Sequence, residues 1–239
     1  MNLRYLVIET RRVVRSPRFL ITTVGMPVAF YLLFSSMGGK GDPTAKAVMM
    51  AGMAGFGGLT AAVSTGARIA AERAAGWQRQ LRLTPLPPSA YLVAKALLGM
   101  LVALGPMLLV YGIGVATGVH LDAGEWALLV VGTWLALTPL AVLGVLVGQI
   151  ATPDSVQAIG GATFMLLSLG GGLWFPPDAM PAWLQQIAHA LPSYWMGGIG
   201  RDVVQHHAFQ QKAIWVLLAW TVGLGIGVAR RFRAQTARA

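Results

Sequence analysis

Charged residues and cysteine are what this sequence has least of. Only 11% of its 239 residues are charged, and none is cysteine. Soluble domains carry about 25% charged residues. The low charge and the mean hydropathy of +0.64 therefore exclude an ordinary soluble fold. Without cysteine, the chain has no disulfide framework and no thiolate metal site.

Catalytic and ion-coupling chemistry is also missing from the apolar parts of the chain. Neither an HExxH nor a GxSxG motif occurs, and no pair of carboxylates lies at membrane depth. Gradient-driven pumps normally carry ionisable groups at mid-membrane depth. Here the nearest ones fall at the ends of apolar stretches: Arg68, Lys95, Glu125 and Asp154. His206 and His207 are adjacent and would point about 100° apart on a helix, so we predict no metal site and no catalytic residue.

Six apolar stretches are long enough to cross a bilayer, which takes about 20 helical residues. They are 19–37, 47–70, 90–118, 125–150, 157–177 and 211–229. The first is too long for a signal peptide and no cleavage site follows it. The sequence therefore predicts an all-α membrane protein of six spans, in one transmembrane domain over 1–239.

The basic residues are distributed unevenly about these spans. With the N-terminus in the cytoplasm, 14 of the 18 Lys and Arg lie inside: Arg4, Arg11, Arg12, Arg15, Arg18, Arg68, Arg73, Arg79, Arg82, Lys95, Arg230, Arg231, Arg233 and Arg238. Cytoplasmic segments carry such an excess, so we predict that both termini are cytoplasmic. We therefore expect the net charge of +10 to attract anionic lipid headgroups rather than nucleic acid. Arg outnumbers Lys 14 to 4, and Ala, Gly and Val are abundant, which favours a GC-rich bacterial genome. We therefore expect a bacterial inner membrane.

Three segments outside the spans carry further signals. Residues 1–18 predict a helix on the cytoplasmic membrane surface, with most of its arginines on one face; a plain basic flank is the alternative. Residues 71–89 predict a short cytoplasmic helix with Trp77 and Leu81 on one face, ended by prolines. A solvated basic loop is the alternative there. Residues 178–200 are too apolar for a free loop and too rich in proline for a span, so we predict an outer re-entrant or interfacial helical hairpin.

Glycines recur at the spacing that lets membrane helices approach closely. Gly144 and Gly148 form one such pair, and Gly114/Gly118 and Gly223/Gly227 form two more. In lipid, close backbone approach contributes much of the attraction between helices. We expect helix contacts at these positions.

Two segments together resemble the ABC-2 family of ATP-binding-cassette transporter permeases. One runs Glu72-x-x-x-Gly76-x-x-x-x-Leu81-Arg82-x-Thr84-Pro85, followed by Lys95 at the start of the third span. The other contains Phe175-Pro176, Met180-Pro181-x-Trp183-Leu184, Ile187 and Leu191-Pro192. The resemblance covers nearly the whole chain. Ala74-Ala75 and Trp77 occupy places that are often polar or acidic in that family.

The resemblance implies a half-transporter that dimerises above two cytoplasmic ATPase subunits, which would hold ATP and Mg²⁺. The segment Glu72–Leu83 would be the coupling helix, with Glu72, Gly76, Trp77, Leu81, Arg82 and Thr84 as its coupling residues. Residues 1–18 would be the connecting helix, and 178–200 the outer hairpin. The first and fifth spans would meet their mates across the dimer, at Gly25, Gly160 and Gly161. The second copy would be the same chain or a related permease.

We therefore expect the permease subunit of an ATP-driven exporter. The spans offer apolar and weakly polar surface without fixed charge, which favours a hydrophobic or amphipathic substrate such as a drug, an antibiotic or a lipid-like molecule. A channel or gradient-driven carrier is one alternative, although it would need titratable groups within the spans. A membrane enzyme or a non-transporting assembly subunit is the other.

Overall fold

The structure is a computed structural model that describes residues 20–38, 42–77, 88–174, 177, 180–207 and 210–236. The regular structure of these residues is helical throughout. A π-helical turn, Leu20–Gly25, leads into the first of nine α-helices in the described ranges: α1 Met26–Gly38, α2 Pro43–Ala74, α3 Pro88–Ala116, α4 Ala123–Ala136, α5 Thr138–Ile150, α6 Val156–Gly170, α7 Ala182–Ala188, α8 Pro192–Val204 and α9 Gln211–Thr236.

Helix α2 is the centre of the bundle. Asp42 caps its first turn by accepting hydrogen bonds from the amides of Thr44 and Ala45. Helices α1, α3, α5, α6 and α8 all pack against it. Its residues are mostly Ala, Gly and Met. Because these side chains are small or flexible, five neighbours can approach one helix.

The contacts of α2 fix the direction of its neighbours. Gly114 of α3 meets Met50 near the start of α2, whereas Lys95 of α3 meets Glu72 near its end, so α2 and α3 are antiparallel. Helix α5 runs parallel to α2, because its Gly144 lies against Ala62 and its last turn lies against Arg73.

The basic residues of the described chain are divided between the two ends of α2 and its neighbours. Helix α9 packs on α5 with Gly227 near Leu146, which places Arg230, Arg231 and Arg233 at the end where α2 stops. Lys46 and Arg201 lie at the opposite end, with the start of α2 and with α8. For these described residues, the predicted separation of charge between the two ends is confirmed. Which end faces the cytoplasm stays a prediction.

Four of the six predicted spans correspond to helices that are long enough to cross a membrane. Within the described ranges, four helical stretches are long and apolar enough to cross a membrane: Pro43–Ala74, Ala90–Ala116, Ala123–Ile150 and Gln211–Ala234. The fourth predicted span is α4 and α5 joined at Leu137. At the first and fifth predicted spans the apolar helices are shorter, Thr23–Ser36 and Val156–Gly170. The count of six spans stays a prediction.

The fifth predicted span is too long by seven residues. It was expected to reach residue 177, but α6 ends at Gly170. Gly171 follows, and Gly172 has a φ of +70°, which favours glycine and stops a right-handed helix. At about 1.5 Å per residue, a helix this short covers about 22 Å of a hydrocarbon core about 30 Å thick.

The segment predicted as a hairpin contains two short helices, α7 and α8. Helix α7 exposes Trp183 and Ile187. Helix α8 continues four residues beyond the expected boundary at 200 and buries Trp195, Met196 and Ile199 against the bundle, mainly on α2 and α4. The re-entrant or interfacial hairpin on the outer side stays a prediction.

Candidate functional site

The end of α2 is the candidate coupling site. The helix stops at Ala74, and Gly76 has a φ of +75°, a conformation that side chains beyond glycine rarely adopt. Trp77 follows this turn and is more than a third exposed. The other predicted coupling residues, Leu81, Arg82 and Thr84, lie outside the described residues.

Glu72 joins α2 to α3. Its carboxylate accepts a hydrogen bond from the hydroxyl of Tyr91 at 2.6 Å and forms an ion pair with Lys95, also at 2.6 Å. Lys95 is buried, and its ammonium lies 5.6 Å from the centre of the Tyr91 ring. A buried ammonium needs a paired and hydrogen-bonded carboxylate to offset its lost hydration. Glu72 provides it.

Glu72 was predicted as the first residue of the coupling helix, facing the ATPase. It lies instead in the last turn of α2, where the helix dipole disfavours a negative charge. The adjacent ammonium of Lys95 is what compensates the carboxylate there. The contact with an ATPase stays a prediction.

Arg73 joins α2 to α5. Its guanidinium donates hydrogen bonds to the backbone carbonyl oxygens of Gln149 and Ala151, at the end of α5. The last carbonyls of a helix have no partner within that helix, and a positive charge is favourable at this end. One arginine therefore satisfies two such groups and fixes the distance between the ends of α2 and α5.

Glu72 and Arg73 together make the end of α2 a rigid junction. Adjacent residues on one turn bind α3 on one side and α5 on the other. The end of α2 is therefore tied to both α3 and α5. Arg73 and Tyr91 were not among the predicted site residues, because their roles depend on which helix ends meet.

Gly25, Gly160 and Gly161 lie on open surface, as a dimer contact would require. Gly25 is exposed at the end of the π-helical turn. A methyl group added at Gly160 or Gly161 would meet no atom within 4 Å. Met165 and Leu166 on the same helix are at least half exposed. The contact across a dimer stays a prediction.

The hairpin residues singled out from the sequence separate into two groups. Phe175 and Pro176 lie outside the described residues. Pro181 and Trp183 are exposed and Leu184 is half-buried on α7, whereas Pro192 is buried at the start of α8. These residues share no common site. In the described part of the chain, no cluster of three His, Asp or Glu side chains could hold a metal ion.

Comparison with known proteins agrees with this architecture. Residues 5–203 match the family described as ABC-2 type transporter. The chain is also 30% identical over 221 residues to YvfS of Bacillus subtilis (strain 168), a protein named as a transport permease, and the match covers 90% of this chain and 89% of that protein.

Proposed function

Since this chain belongs to the ABC-2 type transporter family and is a membrane transport subunit, we propose that it is the permease of an ATP-driven exporter. Two copies of a separate cytoplasmic ATPase would bind ATP and Mg²⁺ and supply the energy. The permease itself carries out no chemistry. Its role is to convert movement at the cytoplasmic surface into movement of its helices.

The observation that carries this proposal is the junction at the end of α2. Trp77 is exposed directly beyond a turn whose preceding residues, Glu72 and Arg73, are bound to α3 and α5. An exposed aromatic side chain on a rigid support is suited to a groove on a partner. A force on Trp77 would move the central helix rather than bend a loose loop.

The proposed transporter is a dimer in which the π-helical turn, α1 and α6 face their mates. Both helices expose large apolar side chains, Leu33 on α1 and Leu166 on α6 among them. The open glycines at 160 and 161 would permit close backbone approach. The second copy is this chain or a related permease.

The proposed substrate is hydrophobic or amphipathic, a drug, an antibiotic or a lipid-like molecule. The buried polar side chains of the described spans are mainly hydroxyls, such as Thr65, Thr133 and Ser168. Such surfaces bind molecules that carry few fixed charges, because they cannot compensate an ion in a low-dielectric setting.

Purification of the tagged chain from its own cells, followed by assay of Mg²⁺-dependent ATP hydrolysis, tests the proposal. We expect ATPase activity to co-purify with the wild type. The double variant Trp77→Ala/Leu81→Ala should lose at least about tenfold of the ATPase association, since an apolar anchor contributes about 2 kcal/mol or more and 1.4 kcal/mol is a factor of ten.

The matched control is Trp215→Ala/Leu218→Ala. Both side chains are exposed near the start of α9, whereas the other end of α9 lies beside the end of α2. This variant should keep the ATPase activity while losing similar apolar surface. Full co-purification with Trp77→Ala/Leu81→Ala would overturn the assignment of the coupling site, and absence of any ATPase from the wild type would overturn the proposed function.

A further inference from the structure

A cavity of about 310 Å³ opens at the end of the bundle opposite the coupling site. Its walls are the first turns of α2, helix α8 and the start of α9. Helices α2 and α8 meet beside it, where Ala51 packs on Gly200. Asp42, Gln205 and Gln210 line it and are exposed, so a solute can enter from the aqueous phase. Ligand pockets begin at about 300 Å³, and this cavity therefore has room for one small organic molecule.

Part of the cavity wall is apolar and aromatic. Met49 contributes a flexible apolar side chain, and Tyr194 and Trp195 contribute rings. Both rings already attract cations of the protein: the ammonium of Lys212 lies 5.6 Å from the centre of Trp195, and the guanidinium of Arg201 lies 5.3 Å from that of Tyr194. Aromatic faces attract cations through their quadrupole.

The charged part of the wall contains two carboxylates. Asp42 and Asp202 line the cavity together with Arg201, and the ammonium of Lys212 lies beside it at the ring of Trp195. The guanidinium of Arg201 acts electrostatically on the carboxyl of Asp202 and donates hydrogen bonds to the backbone oxygens of Gly172, at 3.5 Å, and Tyr194, at 3.3 Å.

Asp202 is compensated only in part. Burial raises the pKa of its carboxyl above the usual value, although Arg201, His207 and hydrogen bonds from Gln210 act in the opposite direction. A raised pKa means that these neighbours do not fully replace the hydration that the carboxylate has lost. A cation in the cavity would supply more of it.

We propose that this cavity binds an organic cation with an apolar body. Its ammonium lies beside Asp42 and Asp202, and its body contacts Met49 and Trp195. This binding is an equilibrium property of the permease alone. It therefore does not depend on the ATPase partner or on the direction of transport, and the two proposals can fail separately.

Isothermal titration of the protein in nanodiscs of phosphatidylcholine, which has no net charge, tests the proposal. Benzylammonium, whose N–H groups can donate hydrogen bonds to the two carboxylates, is the probe, and benzylsulfonate presents a similar body with an anionic head. We expect saturable binding of the cation and at least about tenfold weaker binding of the anion, since each charge-assisted contact contributes more than 1.4 kcal/mol, a factor of ten.

Variants assign the binding to the cavity. Asp202→Asn should weaken binding of the cation at least about tenfold. Asp42→Asn should weaken it as well, while Asn still caps α2 as Asp does. Lys212→Gln should strengthen it, because a competing ammonium leaves the face of Trp195. The matched control is Asp154→Asn, which removes an exposed carboxylate between α5 and α6, at the other end of the bundle.

Three results would overturn the proposal: no saturable heat with the cation at millimolar concentration, equal or tighter binding of benzylsulfonate, or an unchanged dissociation constant in the carboxylate variants. If Asp202→Asn does not elute as folded protein in size-exclusion chromatography, Asp42→Asn decides, because it keeps the helix cap. An equal loss of affinity in Asp154→Asn would also count against the cavity, because it would indicate a general effect of charge.

Discussion

At the residue scale, Glu72 is the most informative position in the chain. In the sequence it is an acidic residue at the edge of a basic loop that is predicted to be cytoplasmic. In the structure its carboxylate is shared by Tyr91 and Lys95. An ion pair of this kind contributes to positioning rather than to net stability, because the cost of removing both charges from water offsets most of their attraction.

Glu72→Gln should lower the stability of the folded permease by about 1–3 kcal/mol. Removing one partner of a buried pair costs about 3–5 kcal/mol, and the partial exposure of Glu72 reduces that cost. The variant Glu72→Gln/Lys95→Met should recover most of the loss, because the ammonium is removed together with its carboxylate. Thermal unfolding in detergent, measured for both single variants and the double variant, gives the coupling energy.

The same variants separate an internal from an external role of Glu72. If Glu72→Gln leaves stability unchanged but abolishes co-purification of the ATPase, its carboxylate serves the partner and the internal pair is incidental. If stability falls and the double variant recovers both stability and ATPase binding, the internal pair positions the coupling site.

At the element scale, the contact between α2 and α5 depends on glycine. A Cβ added at Gly144 would lie 2.5 Å from the carbonyl oxygen of Ala62, and one at Gly148 would lie 2.6 Å from that of Gly66. The two backbones therefore touch directly. Gly223 has the same predicted role on α9, but an added Cβ would meet no atom within 4 Å.

Gly144→Ala should therefore destabilise the protein, by about 1–3 kcal/mol as expected for overpacking. Gly223→Ala is the matched control and should be neutral or stabilising by up to about 1 kcal/mol, since alanine favours a helix. Size-exclusion chromatography in detergent after a heating series compares the two. Equal behaviour would mean that α2 and α5 lie further apart than the structure shows.

At the scale of the whole molecule, the first question is which end of the bundle faces out. Gln205 and Ala75 are both exposed and lie at opposite ends of α2 and its neighbours. Since the chain contains no cysteine, one introduced thiol reports alone. In sealed right-side-out cells, an impermeant thiol reagent should label Gln205→Cys and leave Ala75→Cys unlabelled. The reverse pattern would invert the predicted topology.

The second question at this scale is which surface pairs with another copy. Gly160→Cys on α6 should form a disulfide dimer efficiently in membranes treated with a mild oxidant. Gly223→Cys on α9 is the matched control, because both positions have open space around an added side chain. Efficient cross-linking at position 223 and none at 160 would place the interface on α9.

The amino-acid sequence by itself determined the class of the fold and much of its layout. Hydropathy and the uneven basic charge depend on composition and order alone, so they predict apolar helices and the separation of charge between two ends. The spacing of Gly144 and Gly148 predicts that they can lie at a close helix contact. Local signals also predicted where two short helices begin, because prolines at 181 and 192 interrupt an apolar segment.

The tertiary structure decided which helices pack together and which distant residues interact. Nothing local in the sequence distinguishes Gly144 from Gly223; the difference arises because α5 lies on the central helix and α9 lies at the edge. The junction of Glu72 with Lys95 and of Arg73 with the end of α5 likewise exists only when three helix ends meet. Charges separated by 23 and more positions interact because packing in three dimensions brings them within hydrogen-bond distance, and no periodicity along the chain encodes that proximity.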